Sequence, residues 1–343
     1  DGSHGEGGGQ ILRTSLALSV IRRRPLTVHH IRSGRKKPGL RPQHLAGMVA
    51  LSQISKAKLC GAEVGSERID FLPGKSEGGD YLFEIGDGKR SAGSVTLLLQ
   101  GLLPPLCVTE KPCRLILKGG THVLWSPPYH YFSDVFVPTL SRMGVTVQCH
   151  LERWGWYPGG GGEVHLTVRP SPRITPISLV ERGPLKAIRG ISAVSNLPAP
   201  IATRQRDEAI REIRHHLGRE AEIESLSEAP SGGRGSFLFL LGEFEGCVAG
   251  FSSLGERGKR AEDVAKEAVD ALVKHVFSQG SLDPHLADQV LIFLAMAEGT
   301  SALTTTRMTD HLLTNLWVIE RFLGKRATVL GQRGSPGRVD FFQ

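Results

Sequence analysis

The sequence predicts an α/β (α+β) fold in which a larger domain of repeated helix-plus-strand units is interrupted by a small inserted α/β domain. Three observations predict it. Four apolar helical segments, each opened by a small or glycine-rich turn, recur at intervals of some tens of residues along the chain. A β-like run follows most of them, which is the alternation of packed α/β units. Between about Arg182 and Ser278 the composition changes: strongly charged helices replace apolar ones. Residues 1–181 and 279–343 are therefore expected to form the larger domain and residues 182–278 the insert.

The elements follow in chain order. The first apolar helix is Gly9 to Arg22, with LTVHHI as its strand. Ser33 to His44 reads as an irregular loop, because Pro and Gly break any period. The second helix is Ala92 to Leu103, followed by CRLILKGG, and the third is Tyr131 to Met143, followed by VTVQCHLE. In the insert, the strand-like runs KAIRGISAVS, FLFLLGEF and GCVAGFSS surround two helices, Ala202 to Leu217 and Lys259 to Phe277. The fourth apolar helix, Leu286 to Ala297, precedes SALTTTR, and a last helix begins at Asp310 to Asn315. Gly is clustered in short turns such as GEGGGQ and PGGGGE, which suits tight turns and close ligand approach better than low complexity.

Composition limits the function classes. With 343 residues, 40% hydrophobic and 22% charged, the chain has the balance of a globular protein. No run approaches the roughly 18 to 20 apolar residues of a membrane helix, and DGSHGEGGGQ at the amino terminus lacks a signal-peptide layout. Five irregularly spaced cysteines without a CxxC pair argue against a disulfide framework or zinc site and fit a reducing compartment, the cytoplasm. The formal net charge is +8, and its distribution says more. No Asp or Glu occurs from Gly7 to Ala62, while eleven Lys and Arg lie between Arg13 and Lys58. Such a segment is either a solvated basic face or a phosphate-facing patch.

Four segments could carry chemistry. In Gly5 to Gln10 (GEGGGQ), successive glycines before a helix can converge backbone N–H groups on an anion, and Glu6 could assist a metal or orient a nucleotide. A merely close-packed helix start accounts for the same residues. The loop SGRKKPGLRPQH carries Arg35, Lys36, Lys37 and Arg41 without a compensating acid, which favours phosphate contact. PHLADQ places His285, Asp288 and Gln289 at the start of an apolar helix; alone, Asp288 needs no role beyond the helix dipole. In DHLLTN, His311 directly precedes an apolar helix, where a pinned imidazole could attack phosphorus, although a lone His is more often structural.

Together these segments resemble the RNA 3′-terminal phosphate cyclase family. The matching pieces are DGSxGEGGGQILR at 1–13, GRxKPGLxxQH at 34–44, SAGSVTLLLQ at 91–100, GGT at 119–121, the YPxGGG-type turn at 157–162, HLADQ at 285–289 and HLLTN at 311–315, in the family's order. The match is weakest in the insert. The resemblance implies three similar α/β units, with the small domain inserted before the last. It also implies an ATP-dependent reaction in which a histidine becomes covalently joined to AMP, AMP passes to an RNA 3′-phosphate, and the 2′-OH closes a 2′,3′-cyclic phosphate. Carried over by position, His311 is the nucleophile, through Nε2 with Nδ1–H held by a neighbour. Gln100, His285, Leu286, Ala287, Asp288, Gln289 and Glu6 line the ATP site, with Glu6 a candidate ligand for Mg2+ or Mn2+. Arg13, Arg35 and Arg41 face the phosphates of ATP or the RNA end. The expected partners are ATP and RNA with a 3′-phosphate end, with no membrane.

Three other readings compete. A non-catalytic relative in ribosome assembly would bind RNA but lack the nucleophile. An enolpyruvyl transferase would share repeated units without HLADQ or HLLTN. A general RNA-binding module would explain the basic segment and neither histidine motif.

Overall fold

A computed structural model describes residues 1–85, 92–324 and 327–342. Ser91 of the SAGSVTLLLQ segment lies outside the described residues. The chain runs through α1 (Gly9–Arg22), β1 (Leu26–His29), α2 (Pro42–Ser55), β2 (Lys58–Cys60), β3 (Arg68–Leu72), β4 (Gly79–Glu84), α3 (Val95–Cys107) and β5 (Cys113–Gly119). It continues with α4 (Tyr129–Tyr131), a π-helical turn (Phe132–Phe136), α5 (Val137–Ser141), β6 (Val147–Arg153), β7 (Gly162–Val168) and β8 (Ser178–Leu179). Next come β9 (Leu185–Ser195), α6 (Pro200–Leu217), β10 (Glu222–Leu226), β11 (Gly235–Phe244), β12 (Val248–Leu254) and α7 (Ala261–Phe277). The last elements are α8 (Pro284–Met296), β13 (Ser301–Thr305), α9 (Asp310–Leu323), β14 (Ala327–Gly331) and β15 (Gly337–Phe341).

The mixed α/β class expected from the sequence is what the structure has. Two of its sheets share one topology. In the order β4-β5-β7-β6 the first strand is parallel to the second, and the remaining pairs are antiparallel. The order β8-β13-β15-β14 repeats this pattern. The sheet β1-β3-β2 is antiparallel throughout and corresponds to the same pattern without its first strand. The fourth sheet, β10-β9-β11-β12, is ordered differently and is covered by α6 and α7.

Helices α1, α2, α3, α8 and α9 pack on one another. Helix α1 is buried over Ile11, Leu12 and Thr14 to Val20, on nearly every face, which is why its apolar run shows no polar stripe. No described helix is long and apolar enough to cross a membrane. Cys60, Cys107, Cys113, Cys149 and Cys247 are all free thiols.

Several boundaries differ from the sequence reading. Helix α3 starts at Val95 rather than Ala92, because the Ser94 side chain caps it by accepting the Leu97 N–H. The segment Tyr131 to Met143 is not one regular helix. Pro138 has no N–H for the carbonyl four residues back and its ring crowds that carbonyl, so the ladder widens into a π turn just before it. The expected loop over Ser33 to His44 ends at Arg41. Pro42 is pre-set for the first turn of α2, a helix whose Gly47 and scattered apolar residues hid its period.

Candidate functional site

The glycine run brings the amino terminus of α1 against that of α9. Gly5 and Gly7 adopt positive φ (65° and 56°), and a Cβ on Gly5 would strike the Thr314 side chain of α9. A Cβ on Gly8 would strike both the Glu6 carboxylate and the Arg35 guanidinium. The close packing is therefore real, and it presses Glu6 toward His311. The Glu6 side chain is 7% exposed. Its Oε2 accepts from Arg35 Nη2 at 2.7 Å and lies 3.2 Å from His311 Nε2. The Gln10 backbone N–H, in the first turn of α1, points at Oε1 over 3.4 Å.

His311 sits in the first turn of α9, with Thr309 as the cap. Burial holds its pKa below the usual imidazole value, assisted by Arg13, Arg35 and His285 and opposed by Glu6. The ring is neutral and nucleophilic near neutrality. The nitrogen engaged by a neighbour is Nε2 rather than Nδ1, the reverse of what the resemblance implied.

Arg13 donates from Nη1 to Gln10 Oε1 at 2.5 Å and to Gln100 Oε1 at 3.1 Å, so Gln100 helps to aim a guanidinium. Burial lowers Arg13 to about 10, which leaves it cationic. Asp288 accepts from Thr309 Oγ1 at 2.5 Å. Burial first, then the nearby Asp283 carboxylate, raise Asp288 to about 8, so it is protonated at neutral pH. Asp283 caps α8 through the N–H groups of His285 and Leu286 and accepts from the Tyr131 hydroxyl at 2.8 Å.

These groups share one cleft of about 1400 Å³. Glu6, Arg13, Arg35, Gln100, His285, Asp288, Gln289 and His311 all line it. Leu286 and Ala287 do not; both are fully buried in the core beneath the HLADQ turn. Arg41 is not among the lining residues either. It stands at the N-cap of α2, its backbone N–H given to His44 Nδ1 at 3.1 Å. The sequence reading missed Arg32, His44, Trp125, Arg307 and Arg333, which also line the cleft. Arg32 directly precedes the basic loop and His44 is its last residue, so both could have been taken with it. Arg307 and Arg333 are isolated in sequence and carry no local signal, whereas Trp125 follows the GGT at 119–121 in the bulky run GGTHVLWSPP.

Among the described residues, the group of side chains spaced to share a metal ion is Asp1, His29 and His30, all exposed and outside the cleft lining. Glu6 belongs to no such group. A single carboxylate beside a cleft lined by five arginines fits Mg2+ or Mn2+ as these ions are usually held beside nucleotides, by one or two carboxylates, water and the phosphates themselves.

A neutral histidine at a helix start, an adjoining carboxylate and a ring of arginines in one cleft define an enzyme of phosphate chemistry. A family model described as RNA 3′-terminal phosphate cyclase matches residues 4–329. A protein of Methylococcus capsulatus named RNA 3′-terminal phosphate cyclase is 43% identical, over 94% of this chain and 90% of its own. One of Thermococcus gammatolerans with the same name is 41% identical over 99% of this chain and 96% of its own. A third, from Caldivirga maquilingensis and also so named, is 44% identical over 94% and 92%. The chain belongs to the RNA 3′-terminal phosphate cyclase family.

Proposed function

We propose that the chain uses ATP to convert an RNA 3′-phosphate into a 2′,3′-cyclic phosphate, with His311 as the nucleophile. A ring nitrogen attacks the α-phosphorus of ATP; an N–P bond forms, the α–β bridging P–O bond breaks and pyrophosphate leaves. An oxygen of the RNA 3′-phosphate then takes the AMP, breaking the N–P bond and freeing the imidazole. The neighbouring 2′-OH attacks the activated phosphate, loses its proton and expels AMP. Adenylation supplies the leaving group that a phosphate monoester lacks, and ring closure draws on the proximity of the 2′-OH. DNA has no such hydroxyl, so the substrate is RNA.

The observation that carries this reading is the meeting of His311, Glu6 and Arg35 in a cleft lined also by Arg13, Arg32, Arg307 and Arg333. Arginine forks suit the charge that builds on non-bridging oxygens at every step. The contact with Glu6 leaves Nδ1 as the nitrogen not facing the carboxylate. Attack through Nε2 therefore requires the ring to turn over or Glu6 to release it. A divalent cation on Glu6 would supply further charge neutralisation at the phosphates. The HLADQ turn, through His285, Asp288 and Gln289, and Gln100 are assigned to ATP; Arg13 and Arg35 are assigned to the phosphates. Leu286 and Ala287 support that wall from behind.

The same reading divides the chain into a catalytic body, 1–181 with 279–343, and an insert, 182–278. The common strand order of three sheets supports it. Five free thiols suit a reducing compartment such as the cytoplasm.

The test is incubation with ATP labelled at the α-phosphorus and Mg2+ or Mn2+, without RNA, followed by denaturation. An acid-labile, alkali-stable protein label, lost in His311→Ala, is expected. A folded protein that takes no label with either metal overturns the mechanism and favours a non-catalytic RNA-binding role.

A further inference from the structure

Trp125 is 95% exposed, the largest apolar side chain left in solvent by this fold, yet it lines the reaction cleft. Its backbone has φ 63°, a region that bulky L-residues rarely occupy. The loop that carries it is not slack. On one side Thr121, His122 and Val123 are buried; the Thr121 hydroxyl accepts the Gly155 N–H at 2.8 Å. On the other side the Thr121 carbonyl takes the Tyr129 N–H at 2.9 Å, and Pro127 O accepts from Thr96 Oγ1 at 2.5 Å. Ser126 Oγ ties the turn to Val123 O at 3.0 Å. A pinned loop thus holds an indole out toward solvent, and no ring or cation contact covers it among the described residues.

We propose that Trp125 is the stacking platform for the base of the RNA's terminal nucleotide, a positioning residue that holds the 3′-end over the cleft. The proposal rests on the RNA-end reading given above. A ligand enclosed in the cleft would meet a shielded ring; an indole open to this degree suits a polymer end whose chain continues into solvent. Every base presents a π-face, so stacking tolerates any sequence, as an enzyme acting on ends requires. Arginines on the same cleft would hold the phosphate while the indole holds the base, fixing the ribose and its 2′-OH between two points.

The test measures equilibrium binding, at fixed salt, of a short 3′-phosphate oligoribonucleotide and of the same oligonucleotide with an abasic terminal nucleotide. The wild-type chain, Trp125→Ala and Trp125→Phe are compared. Wild type is expected to prefer the base-bearing end by about tenfold, Trp125→Ala to lose that preference, and Trp125→Phe to keep most of it. A wild-type preference retained in Trp125→Ala overturns the proposal, as does a wild type that binds both ends equally. The labelling experiment above judges the other reading separately. A wild type that takes the label without base preference loses only the platform. One that shows Trp125-dependent preference without label loses only the adenylation chemistry.

Discussion

At the residue scale the site turns on a carboxylate shared by a guanidinium and a neutral imidazole. Glu6 is nearly enclosed between Arg35 and His311, so the charge it offers His311 opposes the burial that keeps the imidazole neutral. Removing the carboxylate leaves burial, Arg13 and Arg35 unopposed. Glu6→Gln is therefore expected to lower the His311 pKa further, read by NMR titration of the ring without ATP or metal; an unchanged or raised value would show that the contact between Glu6 and His311 does not form in solution. The sequence exposed Glu6, His311 and Asp288 because each stands at a helix start beside glycine or polar neighbours, where local chemistry is visible. It did not expose Arg307, Arg333 or Trp125, since only tertiary folding brings those irregular segments to the same cleft. Nor could it show that Leu286 and Ala287, within the HLADQ run, point into the core while His285, Asp288 and Gln289 face the cleft; that split follows from the helical turn itself.

At the scale of elements, a polar seam joins helices α1, α8 and α9. Asn315 of α9 accepts from Thr14 Oγ1 at 2.6 Å and from Gln10 Nε2 at 3.0 Å on α1, and donates to the Asp288 carbonyl of α8 at 2.9 Å. Asn315 and Thr14 are both buried, so each lost partner leaves a group that water cannot reach. Asn315→Ala is expected to cost about 2 kcal/mol of stability, seen as a lower denaturant midpoint. Because the seam sets α1 against α9, the same variant should slow the proposed adenylation by disturbing Glu6 against His311. A midpoint unchanged within error would mean that the seam is not closed. The helices themselves were legible from their apolar or charged runs, apart from α2, whose glycine and late start concealed it, and the Tyr131 segment, where Pro138 imposes a π turn that no run of apolar residues reports.

At the scale of the whole molecule, two buried histidines, His122 and His275, and two half-buried ones, His44 and His130, shape the response to acid. Burial lowers His44 to about 4, assisted by Arg32, Arg13 and Arg41. Burial lowers His130 to about 4 and His275 to about 3, and holds His122 well below the usual value. An unfolded chain binds these protons near pH 6.5, whereas the folded chain binds those of His44, His130 and His275 only near 3 to 4 and that of His122 only well below the usual value. Between those values unfolding takes up protons, so stability is greatest above about 6.5 and falls as the pH drops. The four are not equivalent. His122 is satisfied by Thr121 Oγ1 at 2.8 Å and His130 Nδ1 at 3.0 Å, whereas both ring nitrogens of His275 are buried without a hydrogen-bond partner among the described residues. His275 packs instead against Phe244 and Phe251, surroundings that suit an apolar side chain. His275→Leu is accordingly expected to raise stability at pH 7 by about 1 kcal/mol and to flatten its decline below pH 6.5. His122→Leu should lower stability at pH 7 by about 2 kcal/mol, because it leaves His130 Nδ1 without its partner and the Thr121 hydroxyl with the Gly155 N–H alone. Denaturant unfolding of both variants between pH 5 and 8 separates the two cases, and a destabilised His275→Leu would mean that its imidazole has a bonding partner in solution.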